Sequence, residues 1–570
     1  MKKLIIILLC CVSFNAVCQN QVIDPTVEVN RDFEGKMMEV HKGQLNTAVA
    51  DSLYNFKVDF NYSFFEKPYK DMYEFAPLAS ANLPQSGGYM RPEFIVKGGI
   101  GYPLAPEVAL WYSPELKKGN FLNLEGSFNL YRGDMPLMEI SEGFLQENGL
   151  KAKDTEYKYG IKGSYTYAWK SGEFDVNAGF GGGYSTFYGN EAAPHHSYMQ
   201  ANVGIGAKSS GAGSYGKKFN YAATASLQHT QDKMTGKLQE NLITVQGEMG
   251  PTVGRYNKFM IGAAAHVVTY SGTIVYNYGT FGITPQYRYE NGNLKVNLGV
   301  KLEGKFTNNT NGADKHHNLL FPAINLSFGI APEKLWLYGN LEGWNSLNTY
   351  SSLLEKNTRI NPETTPQRLM ASSVPLNAEA GFKGRFTDKF TYRLFGGYSI
   401  HHGLQQFIYS KENGWFNTIY TNNNELYAGA RADVNTERVN GGFSFRYSSY
   451  SMGKQPAQEE AGPATQADSD NTTANPVLGL PELQGDIFVQ YNWNKKIYIS
   501  AGCHMQGEYN CSASTKIPGF ADLYAGAEYV HSPMVTFWIK GENLLGAATQ
   551  YQPFYTGRQR GFVAGIIVKL

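Results

Sequence analysis

Three histidine doublets are the residues most capable of chemistry in this sequence. His195-His196, His316-His317 and His401-His402 hold six of the eleven histidines. Imidazoles gathered from separate loops bind zinc, copper or haem. The six therefore make a candidate metal site if their loops converge, and ordinary polar loop residues if they do not. Nothing else points to a reaction. GxSxG, HExxH, CxxC and phosphate-binding loops are absent from the sequence, and no catalytic constellation stands out,. Ser500 and His504 share one strand parity without being a distinctive pair. Gly-rich GFGGGYSTFYG at 179–189 sits in strand-like alternation, where glycine eases curvature or faces an aromatic ring. Neither an enzyme nor a resident cofactor is expected.

The elements that would carry those histidines are strands. LKVNLGVKLEGKF at 294–306 places Leu294, Val296, Leu298, Val300 and Leu302 at every second position, with Lys295, Asn297, Gly299, Lys301 and Glu303 between them. The same alternation recurs around Leu376–Phe386, Phe390–Leu394, Leu426–Val434, Ile487–Trp493 and Leu523–Tyr529. A period of two over about ten residues is the signature of a strand with one apolar and one polar face. Convincing amphipathic helices are missing. No apolar run after the N-terminus reaches the roughly 18 residues of a membrane helix, but barrel strands alternate and escape such a count.

Connections alternate in length as well. Short turns lie at 170–173, 290–293, 331–334, 387–389, 494–496 and 531–533. Long polar loops lie near 187–196, 229–240, 306–318, 343–373, 400–423, 449–481, 508–518 and 543–559. An outer-membrane barrel has this asymmetry, with short turns toward the periplasm and long loops outside. About 19 strands fit from Tyr157 to Leu570, and three more near 89–100, 107–113 and 121–131, about 22 in all,. YNFKVDFNYSFF at 54–65 is a further good strand by pattern that the even count does not absorb. Tyr165, Tyr167 and Trp169, Tyr491 and Trp493, and Tyr529 sit beside short turns, as an interfacial aromatic girdle requires. The C-terminal GFVAGIIVKL sets Phe562, Ala564, Ile566, Val568 and Leu570 on one face up to the last residue. In a barrel that strand closes the ring and removes the edge.

The N-terminus reads as an export signal: Lys2 and Lys3, an apolar run from Leu4 to Phe14, and Ala16-Val17-Cys18 before cleavage at Gln19,. Cys18 is alternatively a lipoprotein cysteine, though Asn15 and Val17 fit a lipobox poorly. Cys503 and Cys511 then remain. A disulfide between them is chemically permitted in an oxidising compartment, and the apolar parity of Cys503 favours a small unpaired residue. Net charge is +1, which implies no steering of nucleic acid. Residues 454–476, rich in Pro, Ala, Asp, Glu and Thr, cannot bury a core. The lumen-facing parity carries both signs: Lys295, Lys301, Glu303, Glu379, Lys383, Arg385, Arg393, Arg431, Asp433, Asp522 and Glu528.

The last fifty or so residues resemble the C-terminal strands of TonB-dependent receptors. The matching features are Glu542-Asn543-Leu544-Leu545 ending a strand, a loop with Tyr551 and Pro553, Gly557-Arg558, and a closing strand with Gly565 at its middle. The resemblance implies a 22-stranded outer-membrane barrel. The sequence departs from the family before the barrel: residues 19–53 are too few for the family's globular plug and lack a convincing TonB box, which puts TonB-energised uptake in doubt. Ile23–Val29 is a candidate strand for a partner's sheet edge.

The expected organisation is a signal peptide at 1–18, a periplasmic or lumenal segment at 19–53, and an all-β transmembrane antiparallel barrel from 54 to 570. Expected surroundings are outer-membrane lipid and a lumen-filling or surface partner protein. A large empty ring would be an aqueous hole, so residues 19–65, inward-folded loops or a second protein should fill it. Two functions fit: a transport-type barrel passing or binding a small solute, or a membrane platform in an outer-membrane complex.

Overall fold

The computed structural model describes residues 92–570 except 189–194, 210–218, 234–237, 273–274, 309–317, 332–333, 362–368, 370, 411–413 and 454–476. The export signal, residues 19–53, the strand-like run at 54–65, His316-His317 and the loop at 454–476 lie outside the described residues.

The chain winds as a simple meander. Its first strands are β1 (Phe94–Tyr102), β2 (Glu107–Tyr112), β3 (Asn120–Ser141), β4 (Phe144–Trp169), β5 (Gly172–Ser185), β6 (His196–Ser209) and β7 (Phe219–Asp232). Next come β8 (Gln239–Val253), β9 (Asn257–Ser271), β10 (Tyr276–Asn291), β11 (Leu294–Thr307), β12 (Asn318–Ala331) and β13 (Leu335–Leu347). A short helix α1 (Tyr350–Lys356) precedes β14 (Ala371–Thr387), β15 (Phe390–Ser410), β16 (Trp415–Asn435), β17 (Val439–Met452), β18 (Leu483–Trp493) and β19 (Ile497–Gln506). Two-residue strands β20 (Tyr509–Asn510) and β21 (Lys516–Ile517) sit in a loop before β22 (Phe520–Val530), β23 (Val535–Glu542) and β24 (Gly561–Lys569).

Each long strand pairs antiparallel with its neighbours, and β24 pairs with β1 from Ile95↔Lys569 to Tyr102↔Phe562. Leaving out β20 and β21, the 24 strands make a closed ring of 22. Closure is what a lipid environment demands, because no backbone edge can stay unpaired there. The alternation lands as expected: Leu294, Leu298, Val300 and Leu302 are exposed on the outer wall while Glu303 is buried inside. Phe562, Ile566 and Leu570 face outward on the closing strand. Tyr165, Tyr167, Tyr491, Trp493 and Tyr529 are exposed outward next to short turns, as a girdle should be.

Two expectations about strand extent are corrected. The long loop expected near 400–423 is mostly strand: β15 and β16, of 21 residues each, continue through it as a ladder ending at Ser410↔Trp415. Residues 132–156, outside the strands expected near 121–131 and from Tyr157, are the upper parts of β3 and β4, with 22 and 26 residues. A tilted strand needs only about 9–11 residues to cross lipid, so these hairpins project well beyond the membrane on the outer side. The third correction is α1 itself, a helix where none was expected.

The glycine-rich run behaves as expected. A Cβ on Gly183 would lie 2.8 Å from the Tyr198 ring, and one on Gly182 2.8 Å from the Tyr159 hydroxyl. Cys503 and Cys511 are both free thiols, as the parity of Cys503 indicates. The mixed lumen charges are largely paired within the wall: Arg288 with Glu248 at 2.6 Å, Arg446 with Glu425 at 2.7 Å, Lys540 with Glu107 at 2.9 Å, and Arg393 with Glu379.

Candidate functional site

The segment between β13 and β14 does not extend outward as a free loop. It turns inward at Asn348, whose carbonyl accepts from Tyr278 Oη at 2.7 Å. Thr349 then caps α1, its hydroxyl accepting from Ser352 N–H at 3.1 Å, the ordinary role of threonine at a helix start. Seven residues are too few for a helix to persist alone. Its hold is tertiary: Glu240, at the start of β8, accepts from the Tyr350 N–H at 2.5 Å, the Ser351 N–H at 3.1 Å and Tyr270 Oη at 2.5 Å. A carboxylate from another strand thus satisfies the donors that a helix start leaves open.

One side of α1 is apolar. Tyr350, Leu353 and Leu354 are buried, and Ile360 follows them into the same cluster. They pack with Val268, Tyr270, Tyr276 and Tyr278 of the inner wall and with Trp415 and Phe416 of the β15–β16 hairpin. Burying each such side chain is worth about 1.5–3 kcal/mol, so this leucine pair supplies much of the inward pull. Ile360 bridges to Phe416, and backbone bonds Asn361 N–H to Phe416 O and Phe416 N–H to Arg359 O join the segment to β16.

Polar anchors lie at the far end. His196, the first residue of β6, is wholly buried. Its Nδ1 lies 2.5 Å from Thr358 O and its Nε2 2.6 Å from Asp232 Oδ2 at the end of β7. Tyr350 Oη donates to the same Asp232 oxygen. Burial, with Asp232 beside it, pushes the Tyr350 phenol well above its ordinary value, so it stays a donor. Arg359 reaches further: its Nη2 donates to Asp154 Oδ2 on β4 at 3.1 Å and its Nε to Thr186 O at 3.3 Å. Burial alone would pull the guanidinium down, but Asp154 and the Tyr188 phenol outweigh it and hold Arg359 above the usual arginine value.

Ring geometry gives these contacts their meaning. From β13 to β4 is nine places round a ring of 22, close to the eleven of a full diameter. The segment 348–360 therefore crosses the extracellular mouth. The β23–β24 loop meets it: the Arg359 guanidinium lies over the Tyr555 ring at 4.3 Å, Tyr555 Oη donates to Gly414 O at 2.6 Å, and Tyr188 Oη accepts from Thr556 N–H at 2.6 Å. Gln552 Nε2 donates to Lys356 O at 3.2 Å, stitching that loop to the end of α1.

Of the six histidines read from the sequence as candidate metal ligands, His195, His196, His401 and His402 are described, and the first three have other partners. His196 serves the crossing segment. His401 Nε2 lies 3.3 Å from Glu425 Oε2 on the wall, and His195 rests its ring against Tyr184. His402 stands exposed beside the Gly403 bulge. No three His, Cys, Asp or Glu side chains among the described residues are grouped to hold a metal. Ser500 and His504 go separate ways, to Gly526 O at 3.4 Å and Asp486 Oδ1 at 2.7 Å. Asp154, Asp232, Glu240, Tyr350 and Arg359 were not singled out from sequence. Thr349 followed by Tyr-Ser-Ser-Leu-Leu was the available signal for a capped turn with an apolar side.

Comparison with known proteins gives a fold. The chain has the barrel fold of TonB-dependent receptors. It superposes on the copper transporter OprC with a TM-score of 0.60 and 11% identity, over 85% of this chain and 82% of that one. The FrpB iron transporter from Neisseria meningitidis matches with a TM-score of 0.60 and 10% identity, over 84% and 82%. The ferric-catecholate import receptor Fiu from K12 E. coli matches with a TM-score of 0.58 and 11% identity, over 84% and 82%. At such identities the likeness is one of architecture, an outer-membrane barrel of 22 strands. No family model matches the sequence, and no curated protein does.

Proposed function

We propose that this protein is an outer-membrane transport-type barrel that binds or passes a small solute at the cell surface, with segment 348–360 as its extracellular gate. The observation that carries this reading is the crossing of the mouth by a segment held through buried polar contacts rather than by extended sheet. A platform for partner proteins needs no such inward loop. A gate needs one, anchored by a few bonds that can be exchanged. The fold shared with a copper transporter and with iron import receptors supports the transport class, and the solute is left to experiment. The mixed, paired charges of the lumen wall suit a hydrated passage of either sign.

The test is solute release from vesicles holding the full chain. Replacing residues 349–360 by a Gly-Ser linker should raise the release rate of small solutes several-fold over the native chain. Equal, background release from both proteins would overturn the reading and favour the platform.

A further inference from the structure

Several buried polar groups hold the crossing segment. His196 is different, because both its ring nitrogens face acceptors. Thr358 O, at 2.5 Å from Nδ1, can only accept,. Asp232 Oδ2, at 2.6 Å from Nε2, already receives the Tyr350 hydroxyl proton. Two protons must therefore lie between His196 and its neighbours, one on each contact. Whether the second is drawn on Nε2 or on the carboxylate, the count is the same. Remove one, and a nitrogen lone pair faces an oxygen lone pair at hydrogen-bond distance in a site closed to water. Tyr350 Oη also lies 3.4 Å from Nε2, but its single proton is engaged with Asp232.

We propose that His196 and Asp232 form a proton-dependent latch on the crossing segment, shut while the pair keeps its proton and loosened once alkali removes it. The latch acts at both ends of the segment, through Tyr350 on α1 and Thr358 just before Arg359. This inference rests on the reading of 348–360 as the gate and adds its regulation.

Other charged and titratable groups surround the pair. Tyr198, on the same strand, sets its ring 6.0 Å from that of His196. Glu240 of β8 holds the N–H groups of Tyr350 and Ser351 and the hydroxyl of Tyr270 from β9. Glu156 of β4 and Glu355 of α1 lie around Tyr198, and Arg359 is bound by Asp154. Of the two cations in the segment, Arg359 is paired with Asp154 and Lys356 is exposed.

Distances between nitroxide labels test the latch in the full chain, refolded in lipid vesicles. Labels go on Lys356→Cys, on the exposed side of α1, and Val275→Cys, in the β9–β10 loop, with all other cysteines replaced by alanine. A single distance population is expected in mild acid, and a displaced second population, several-fold larger, in mild alkali. In Asp232→Asn the amide either accepts from or donates to Nε2, so a neutral imidazole satisfies both contacts and one population should persist at both pH values. In His196→Gln the distribution should no longer respond to pH. Should that variant fail to insert, Asp232→Asn decides alone. Identical native distributions at both pH values, or a full response kept by Asp232→Asn, would overturn the latch. Solute release measured alongside separates the two ideas: distances that respond without release remove the gating reading and keep the latch, while release that responds without a change in distance removes the latch.

Discussion

Arg359 Nη2 meets Asp154 Oδ2 at 3.1 Å although 205 residues separate them in the chain. The contact joins the end of the crossing segment to the projecting part of β4, and both side chains are nearly removed from solvent. Removing one partner of a buried pair strands the other, typically at about 3–5 kcal/mol. Arg359→Met should therefore release the segment locally while the ring stays intact. Amide hydrogen exchange over 350–361 should speed up by two or more orders of magnitude, about what that energy implies. The double change Arg359→Met with Asp154→Leu should recover part of the protection, because no charge is left buried alone.

Glu240 is the residue that starts the helix, and it does so from β8. Glu240→Ala leaves the Tyr350 and Ser351 N–H groups and the Tyr270 hydroxyl without their acceptor, at about 1–3 kcal/mol for each group left buried and unpaired. Limited proteolysis should cut between 350 and 360 in this variant and spare the native chain. Leu354→Ala, which leaves every polar bond in place, should give the same cut more slowly through a loss of about 2–5 kcal/mol in packing. Equal resistance in all three proteins would show that α1 owes nothing to either.

The closing seam is built around one indole. Trp538 of β23 is buried beside β1, and a Cβ on Gly99 would lie 2.4 Å from its Cζ2. Lys97 covers the ring at 4.2 Å. The neighbouring Gly565, the glycine at the middle of the last strand, would bring a Cβ to 1.9 Å from Gly98 O. Gly99→Leu should lower the temperature at which the barrel unfolds in heat-modifiable electrophoresis, since overpacking costs about 1–3 kcal/mol. Gly565→Val should be worse, because its clash is with backbone that cannot turn aside.

Cys511 lies in the β19–β22 loop, packed with Leu145, Tyr509 and Ile517. Burial pushes its thiol up to about 11, against a smaller opposing backbone hydrogen bond. The thiolate is the reactive form, so maleimide at pH 8 should label Cys511 only after denaturation. The shift raises the folded-state value above the unfolded one. Its contribution is thus complete below the ordinary thiol value and is lost as pH climbs toward 11, so this loop should loosen in strong alkali and not in acid.

How much of this was legible beforehand varies with depth in the membrane. Inside lipid the alternation is compulsory, and runs such as 294–302 and 562–570 declared both their strand state and the face they show. Above the lipid no such rule holds. IHHGLQQFIYS and WFNTIYTNNNE are strands in the structure, yet they lack a clean period of two, because water on the outside leaves both faces free to be polar. The upper part of the β15–β16 hairpin therefore reads as a loop, and that of β3–β4 falls outside the expected strands. Adjacency in sequence likewise says nothing about which strand end a residue will face: His196 meets Asp232 and Thr358.

The sequence by itself determined the barrel: alternating parity, and short turns against long loops. These are local properties, since lipid outside and water inside act on every residue of a strand in the same way. The tertiary structure alone decided which loop crosses the mouth. That choice rests on meetings between residues far apart in the chain, Glu240 with Tyr350, His196 with Thr358 and Asp154 with Arg359, and a periodic pattern carries no record of them. Once the ring has closed, the loops are brought within reach of one another, and burial of Leu353, Leu354 and Ile360 settles which of them turns inward.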